Sequence, residues 1–165
     1  MTYKETKKVL FEWLKERGFE RIQIPGGAPY NYVHPLGEFS VLISFYKDRF
    51  AEYLIFNVGC HFDDCEYGDA TVNVRNLTCN VNKENNRQGF YYEENTEEAF
   101  IDYLNEMFDK YLKPYYEKGK AYLKEIVLRA RPSLFRKALF KGEVYFVEIG
   151  ARKKINEMFG LRTKP

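Results

Sequence analysis

Apolar and polar positions alternate through Glu38 to Phe62, EFSVLISFYKDRFAEYLIFNVGCHF, and the alternation predicts two strands joined at Lys47-Asp48-Arg49. In the first strand Phe39, Val41, Ile43 and Phe45 share one face; Ser40, Leu42, Ser44 and Tyr46 share the other. In the second, Leu54, Phe56, Val58, Cys60 and Phe62 oppose Tyr53, Ile55, Asn57 and His61. One wholly apolar face and one mixed face per strand predict an antiparallel sheet covered by helices on one side.

Helical spacing dominates the two ends. Thr2 and Glu5 form a capping-box pattern, followed by Thr6, Val9, Leu10, Trp13 and Leu14 on one face. Gly18 is placed to close this helix, with Phe19 packing back on its last turn. Arg21 to Ile24 and Tyr30-Tyr32-Val33 predict short strands around the turn Pro25-Gly26-Gly27-Ala28-Pro29, and His34-Pro35-Leu36-Gly37 predicts a turn into the hairpin. The Pro-Gly-Gly run lacks the Lys and the strand-to-helix setting of a phosphate loop. Strand character returns over Ala70 to Val81, with a parity change between Val74 and Leu77, and again at Phe90-Tyr91-Tyr92.

Asn95 with Glu98 predicts a helix start, and Phe100, Tyr103, Leu104, Met107, Phe108, Tyr111 and Leu112 mark its apolar face. It stops before Pro114. Tyr115 to Leu128 predicts another helix, weakened at Gly119; Leu134 to Phe140 predicts a short one; Ala151 to Phe159 predicts a last one with Ile155, Met158 and Phe159 inward. Gly142 to Gly150 suits strand or buried helix equally. No repeat or linker interrupts the pattern, which fits a single domain over 1–165. The fold class expected is α+β: an antiparallel sheet built on the central hairpin, with the N-terminal helix and the C-terminal helices packed on one side.

Composition adds little to that picture except in its aromatics. The 165 residues are 45% hydrophobic and 30% charged, with 14 Tyr and 14 Phe. Tyr buries its ring while keeping its hydroxyl wet, so the preferred position is the edge of the core, with a binding surface as the alternative. No apolar run approaches the roughly 15–20 residues of a signal peptide or membrane span, so a cytoplasmic protein without a membrane partner is expected. Three cysteines, Cys60, Cys65 and Cys79, do not pair off into a secreted disulfide framework. Acids outnumber Lys and Arg 19 to 11 over 1–109, whereas the bases lead 15 to 5 over 110–165.

Four groupings could carry chemistry. Cys60-His61-Phe62-Asp63-Asp64-Cys65 with Cys79 has zinc-binding residue types, but the alternation turns Cys60 and His61 to opposite faces, so no metal or cofactor is expected. Asp63, Asp64, Glu66 and Asp69 lack the order of a calcium loop. His61 is the better acid–base candidate because Asp63 could orient its imidazole, yet no nucleophile accompanies it. Arg129, Arg131, Arg136, Lys137, Lys141, Arg152, Lys153 and Lys154, with Tyr115, Tyr116 and Tyr122, could follow a nucleic-acid strand; a solvated basic surface is preferred.

Leu14-Lys15-Glu16-Arg17-Gly18-Phe19, the paired apolar strands of the hairpin, Phe90-Tyr91-Tyr92, Tyr111-Leu112-Lys113-Pro114-Tyr115-Tyr116 and Glu148-Ile149-Gly150-Ala151 occur in that order. In this the chain resembles the uncharacterised bacterial domain of unknown function 4304 family. The resemblance implies an α+β fold, no established activity and no catalytic residues, and it tilts Gly142 to Gly150 toward helix. The functional expectation is a small non-catalytic protein-binding module of the immunity or toxin-neutralising kind, using Tyr46, Tyr53, Asn57, His61 and Arg75 on the mixed face. The alternatives are a small-molecule-binding domain or hydrolase-like enzyme built on His61 and Asp63, and nucleic-acid binding by the basic C-terminal helices.

Overall fold

A computed structural model describes residues 1–24, 28–63, 71–72, 89–129, 136–140, 143–147 and 150–161. Its elements are α1 (Tyr3–Glu16), β1 (Glu20–Ile22), β2 (Tyr30–Pro35), β3 (Ser40–Lys47), β4 (Tyr53–His61), β5 (Thr71–Val72), β6 (Gly89–Tyr91), α2 (Glu97–Tyr111), α3 (Lys113–Lys118), α4 (Lys120–Arg129), β7 (Arg136–Phe140), β8 (Glu143–Val147) and α5 (Gly150–Met158). The strands run β1-β2-β3-β4-β5 in one antiparallel sheet, and β6 also pairs with β4 at its other end. The fold is α+β, as the alternation predicts.

Local signals set α1. Thr2 Oγ1 accepts from the Glu5 amide while the Thr2 amide donates to the Glu5 carboxylate, so the two satisfy each other's free N–H groups. The helix closes with Gly18 at φ +71°, the Gly18 amide donating to the Lys15 carbonyl and the Phe19 amide to the Leu14 carbonyl. That pair of bonds needs a left-handed residue, which glycine adopts without steric penalty. Phe19 and Leu14 are both buried beneath it.

The hairpin faces sort as the alternation predicts. Val41, Ile43, Phe45, Leu54, Phe56, Val58 and Cys60 are fully buried, in one core with Leu10 and Leu14 of α1, Phe100 and Leu104 of α2, Tyr115 of α3, Leu123 of α4 and Ile155 of α5. Burial of this apolar area supplies most of the drive to fold. α2 is capped by Thr96, whose hydroxyl accepts from the Ala99 amide, one residue after the predicted Asn95. Pro114 sits in the first turn of α3, where its missing N–H costs nothing, and Gly119 separates α3 from α4.

Two C-terminal expectations are corrected. Within Leu134 to Phe140 the described part, Arg136–Phe140, is strand rather than helix, and within Gly142 to Gly150 the described part Glu143–Val147 is strand, against the tilt toward helix. The two pair antiparallel, Arg136 opposite Val147 and Phe140 opposite Glu143, while 134–135, 142 and 148–149 lie outside the described residues. Short apolar runs carry no period that separates strand from helix; the cross-strand ladder decides. Strand β1 begins at Glu20 rather than Arg21, and β2 continues through Pro35 because His34 and Pro35 pair with Val41 and Ser40. Of the predicted run Ala70 to Val81, β5 supplies Thr71–Val72, and 73–81 lie outside the described residues. No helix among the described residues is long and apolar enough to cross a membrane.

Candidate functional site

On the second face of the sheet the expected site residues separate into two groups. His61 is buried, and its neighbours on this face, Ser40, Leu42, Ser44, Asn31 and Val33, are buried too. The face read as mixed and open is therefore withdrawn from solvent over the part that holds His61. Asn57 is half-buried, and Tyr53, Asn57 and His61 all have interaction partners within the chain. Arg75, Cys65, Cys79, Asp64, Glu66 and Asp69 lie outside the described residues.

His61 and Asp63 do meet: Nε2 lies 3.1 Å from Asp63 Oδ1, with the imidazole 8% exposed and the carboxylate 86%. The carboxylate fixes the ring's orientation, as in an acid–base pair. The adjacent thiol is turned away, since Cys60 is in the core on the opposite face, and burial pushes its pKa up. Imidazole and thiol are thus separated by the sheet itself, which excludes them as a nucleophile–base pair or as two ligands of one metal.

The open part of the second face lies at the hairpin tip. Tyr46 of β3 is 37% exposed and Tyr91 of β6 is 46% exposed. Tyr53 of β4 pairs with Tyr91 across the strands, their rings 4.4 Å apart. Aromatic cross-strand pairs of this kind stiffen a sheet surface. Beyond them, in the loop 48–52, Phe50 is 97% exposed.

That loop is tightly held. Asp48 Oδ1 accepts from the Phe50 amide at 2.8 Å and the Ala51 amide at 3.0 Å, an Asx-type turn. The Asp48 amide donates to the Tyr53 carbonyl at 2.8 Å. Lys47 Nζ reaches Glu52 at 2.8 Å, and the Tyr92 hydroxyl donates to the same carboxylate. These two donors hold the Glu52 carboxyl below its ordinary pKa, Lys47 contributing most. Phe50 and Tyr91 were missed by the sequence reading. Phe50 stands outside the strand alternation, an apolar residue inside a charged turn, and that misfit was the available signal.

Part of the basic C-terminal region is paired with acids among the described residues, while the side chains of Arg131, Arg136, Lys137, Lys141 and Arg152 lie outside what is described. Lys113 pairs with Asp109 at 3.6 Å, Lys120 with Glu38 at 2.5 Å, Arg129 with Glu125 at 3.9 Å and Lys153 with Glu157 at 3.8 Å. Of the tyrosines in the nucleic-acid alternative, Tyr115 is buried in the core; Tyr116 stacks on His34, ring centroids 4.7 Å apart; Tyr122 packs edge-on to Tyr115. Rings used in packing offer no face to a base. Compared with known proteins, the chain matches no family model, no curated protein and no solved structure.

Proposed function

We propose that this protein is a non-catalytic protein-binding module that docks through the hairpin tip, with Phe50 as anchor and Tyr46, Tyr53 and Tyr91 around it. The observation that carries the reading is an almost fully exposed Phe50 on a loop locked by Asp48 and Glu52. An aromatic held ready on a rigid loop loses little conformational entropy on binding, and burying it is worth about 1.5–3 kcal/mol. Such aromatic anchors dominate protein interfaces. The immunity and toxin-neutralising class, small bacterial proteins that act by covering a partner, fits this reading. The enzyme alternative on His61 and Asp63 has less support, because the imidazole is buried and the thiol beside it faces away.

The test is site-specific photo-crosslinking in the native host, with a benzophenone amino acid at position 50. A discrete heterologous protein adduct is expected at position 50 and not at the exposed helix position Lys8. No adduct at position 50, or the same products at both positions, overturns the reading.

A further inference from the structure

On the opposite side of the sheet from Tyr46 and Tyr53, α1 and the β1–β2 edge bring two uncompensated cations onto one tyrosine. Lys7 is half-buried, its ammonium 4.8 Å from the Tyr3 ring centroid and 5.3 Å from that of Tyr30. The Lys7 ammonium also donates to the Tyr30 hydroxyl at 3.4 Å. The Arg21 guanidinium lies 5.3 Å from the same Tyr30 ring and spends one N–H on the Pro29 carbonyl at 3.5 Å. Among the described residues neither Lys7 nor Arg21 has a carboxylate within ion-pair distance, whereas Lys8, one residue along the same helix, pairs with Glu12.

The tyrosine between them is fixed. Its ring is stacked on Phe45 at 4.9 Å and 6°, directly across the β2–β3 pairing, and Phe11 of α1 packs on it at 6.0 Å. Tyr30 therefore cannot swing away to follow either cation. Its hydroxyl accepts from Lys7 and lies beside the Tyr3 hydroxyl. Beside one tyrosine ring, the Lys7 ammonium keeps N–H groups beyond the one given to Tyr30 and the Arg21 guanidinium keeps N–H groups beyond the one given to Pro29, and no described carboxylate neutralises either cation. Each donor would form a short, charge-assisted bond to an anionic oxygen. The half-buried setting weakens solvent screening of the Lys7 charge, so an anion there feels more of it than at an exposed lysine.

We infer that Lys7, Tyr30 and Arg21 form an oxyanion-binding site, one that takes a phosphate or carboxylate group of a ligand. It does not depend on the Phe50 surface, since it lies on the other face of the sheet and uses none of the same residues. Cation–π packing alone would leave Lys7 stabilising the two rings without any response to anions. The two roles separate in solution.

The experiment is NMR titration of the full chain with inorganic phosphate and, separately, glutarate, at ionic strength held constant with sodium chloride. Saturable shifts at Tyr3, Lys7, Arg21 and Tyr30 are expected with at least one of the two anions, and the arm that saturates tells phosphate from carboxylate. Lys7→Gln is expected to weaken the apparent Kd at least tenfold, Arg21→Gln by a smaller factor, and Lys8→Gln not at all. Arg21 is exposed on an edge strand, so its variant reports even if Lys7→Gln perturbs folding. Linear drift with both anions, or saturation that persists unchanged in both Lys7→Gln and Arg21→Gln, overturns the site.

Discussion

The Tyr53 ring lies directly over Gly89. A methyl group added at Gly89 would stand 2.6 Å from Tyr53 Cζ and well inside contact distance of the Leu54 carbonyl oxygen. Glycine is thus what allows β6 to pair against β4 while Tyr53 covers it and meets Tyr91. Gly89→Ala is expected to destabilise the fold by about 1–3 kcal/mol, the usual cost of overpacking. Adding Tyr53→Ala should recover only part of this, because the clash with the Leu54 carbonyl remains. Chemical denaturation of the single and double variants checks both points.

Asp48 tests whether the Phe50 loop is prepared in advance. Asp48→Ala removes the acceptor for two backbone amides and is expected to cost about 1 kcal/mol in stability. Asp48→Asn, which keeps an acceptor oxygen, should cost less. If rigidity of the loop matters for binding, crosslinking yield from position 50 falls in Asp48→Ala and is largely retained in Asp48→Asn. Equal yields in all three chains would separate the loop's order from its use.

Asn105 ties two helices together. Its Oδ1 accepts from Trp13 Nε1 at 3.0 Å and from an Arg17 guanidinium N–H at 2.8 Å, while that guanidinium lies 4.0 Å from the Trp13 ring centroid. Asn105→Ala leaves a buried indole N–H without its acceptor and is expected to cost about 1–3 kcal/mol. Trp13 is the only tryptophan in the chain, so its emission reads this site alone. A shifted emission maximum in the folded variant is expected, with Asn105→Asp restoring an acceptor.

Alkaline pH should unfold the protein through its buried tyrosines. Burial raises the Tyr115 pKa well above the ordinary 10.0, with the nearby Cys60 adding to it, and burial likewise raises that of Tyr116. A folded pKa above the unfolded one means that full stability is present below about pH 10 and is lost as pH rises past it. The Tyr115 hydroxyl is also buried without a hydrogen-bond partner among the described residues. Tyr115→Phe is therefore expected to stabilise the neutral protein by up to about 1 kcal/mol and to move alkaline unfolding to higher pH. Thermal melts between pH 7 and pH 11 give both effects; a lower melting temperature at every pH contradicts them.

Signals with a local cause were readable from sequence and hold in the structure. Thr2 with Glu5 and Gly18 with Phe19 each act within a few residues, whereas Gly119, read only as a weak point in one helix, separates two. The hairpin parity held because strand side chains alternate with a period of two, which also placed Cys60 and His61 on opposite faces. Arg136–Phe140 was misread as helix and Glu143–Val147 was left open between strand and helix, because their pairing with each other, not their own period, makes them strands. The candidate site was half visible. Tyr46 and Tyr53 were identified by parity, but the burial of His61 and the exposure of Phe50 depend on what packs over each end of one face.

By itself the sequence determined the α+β class, the core face of the hairpin and the ends of the first helix, because these follow from side-chain period and from caps a few residues long. Tertiary structure decided which half of the second face stays open, that Gly89 must lie beneath Tyr53, and that Lys7 and Arg21 converge on Tyr30. Each of those depends on elements far apart in the chain meeting in one register, and a periodicity read along a single strand or helix carries no information about its neighbour.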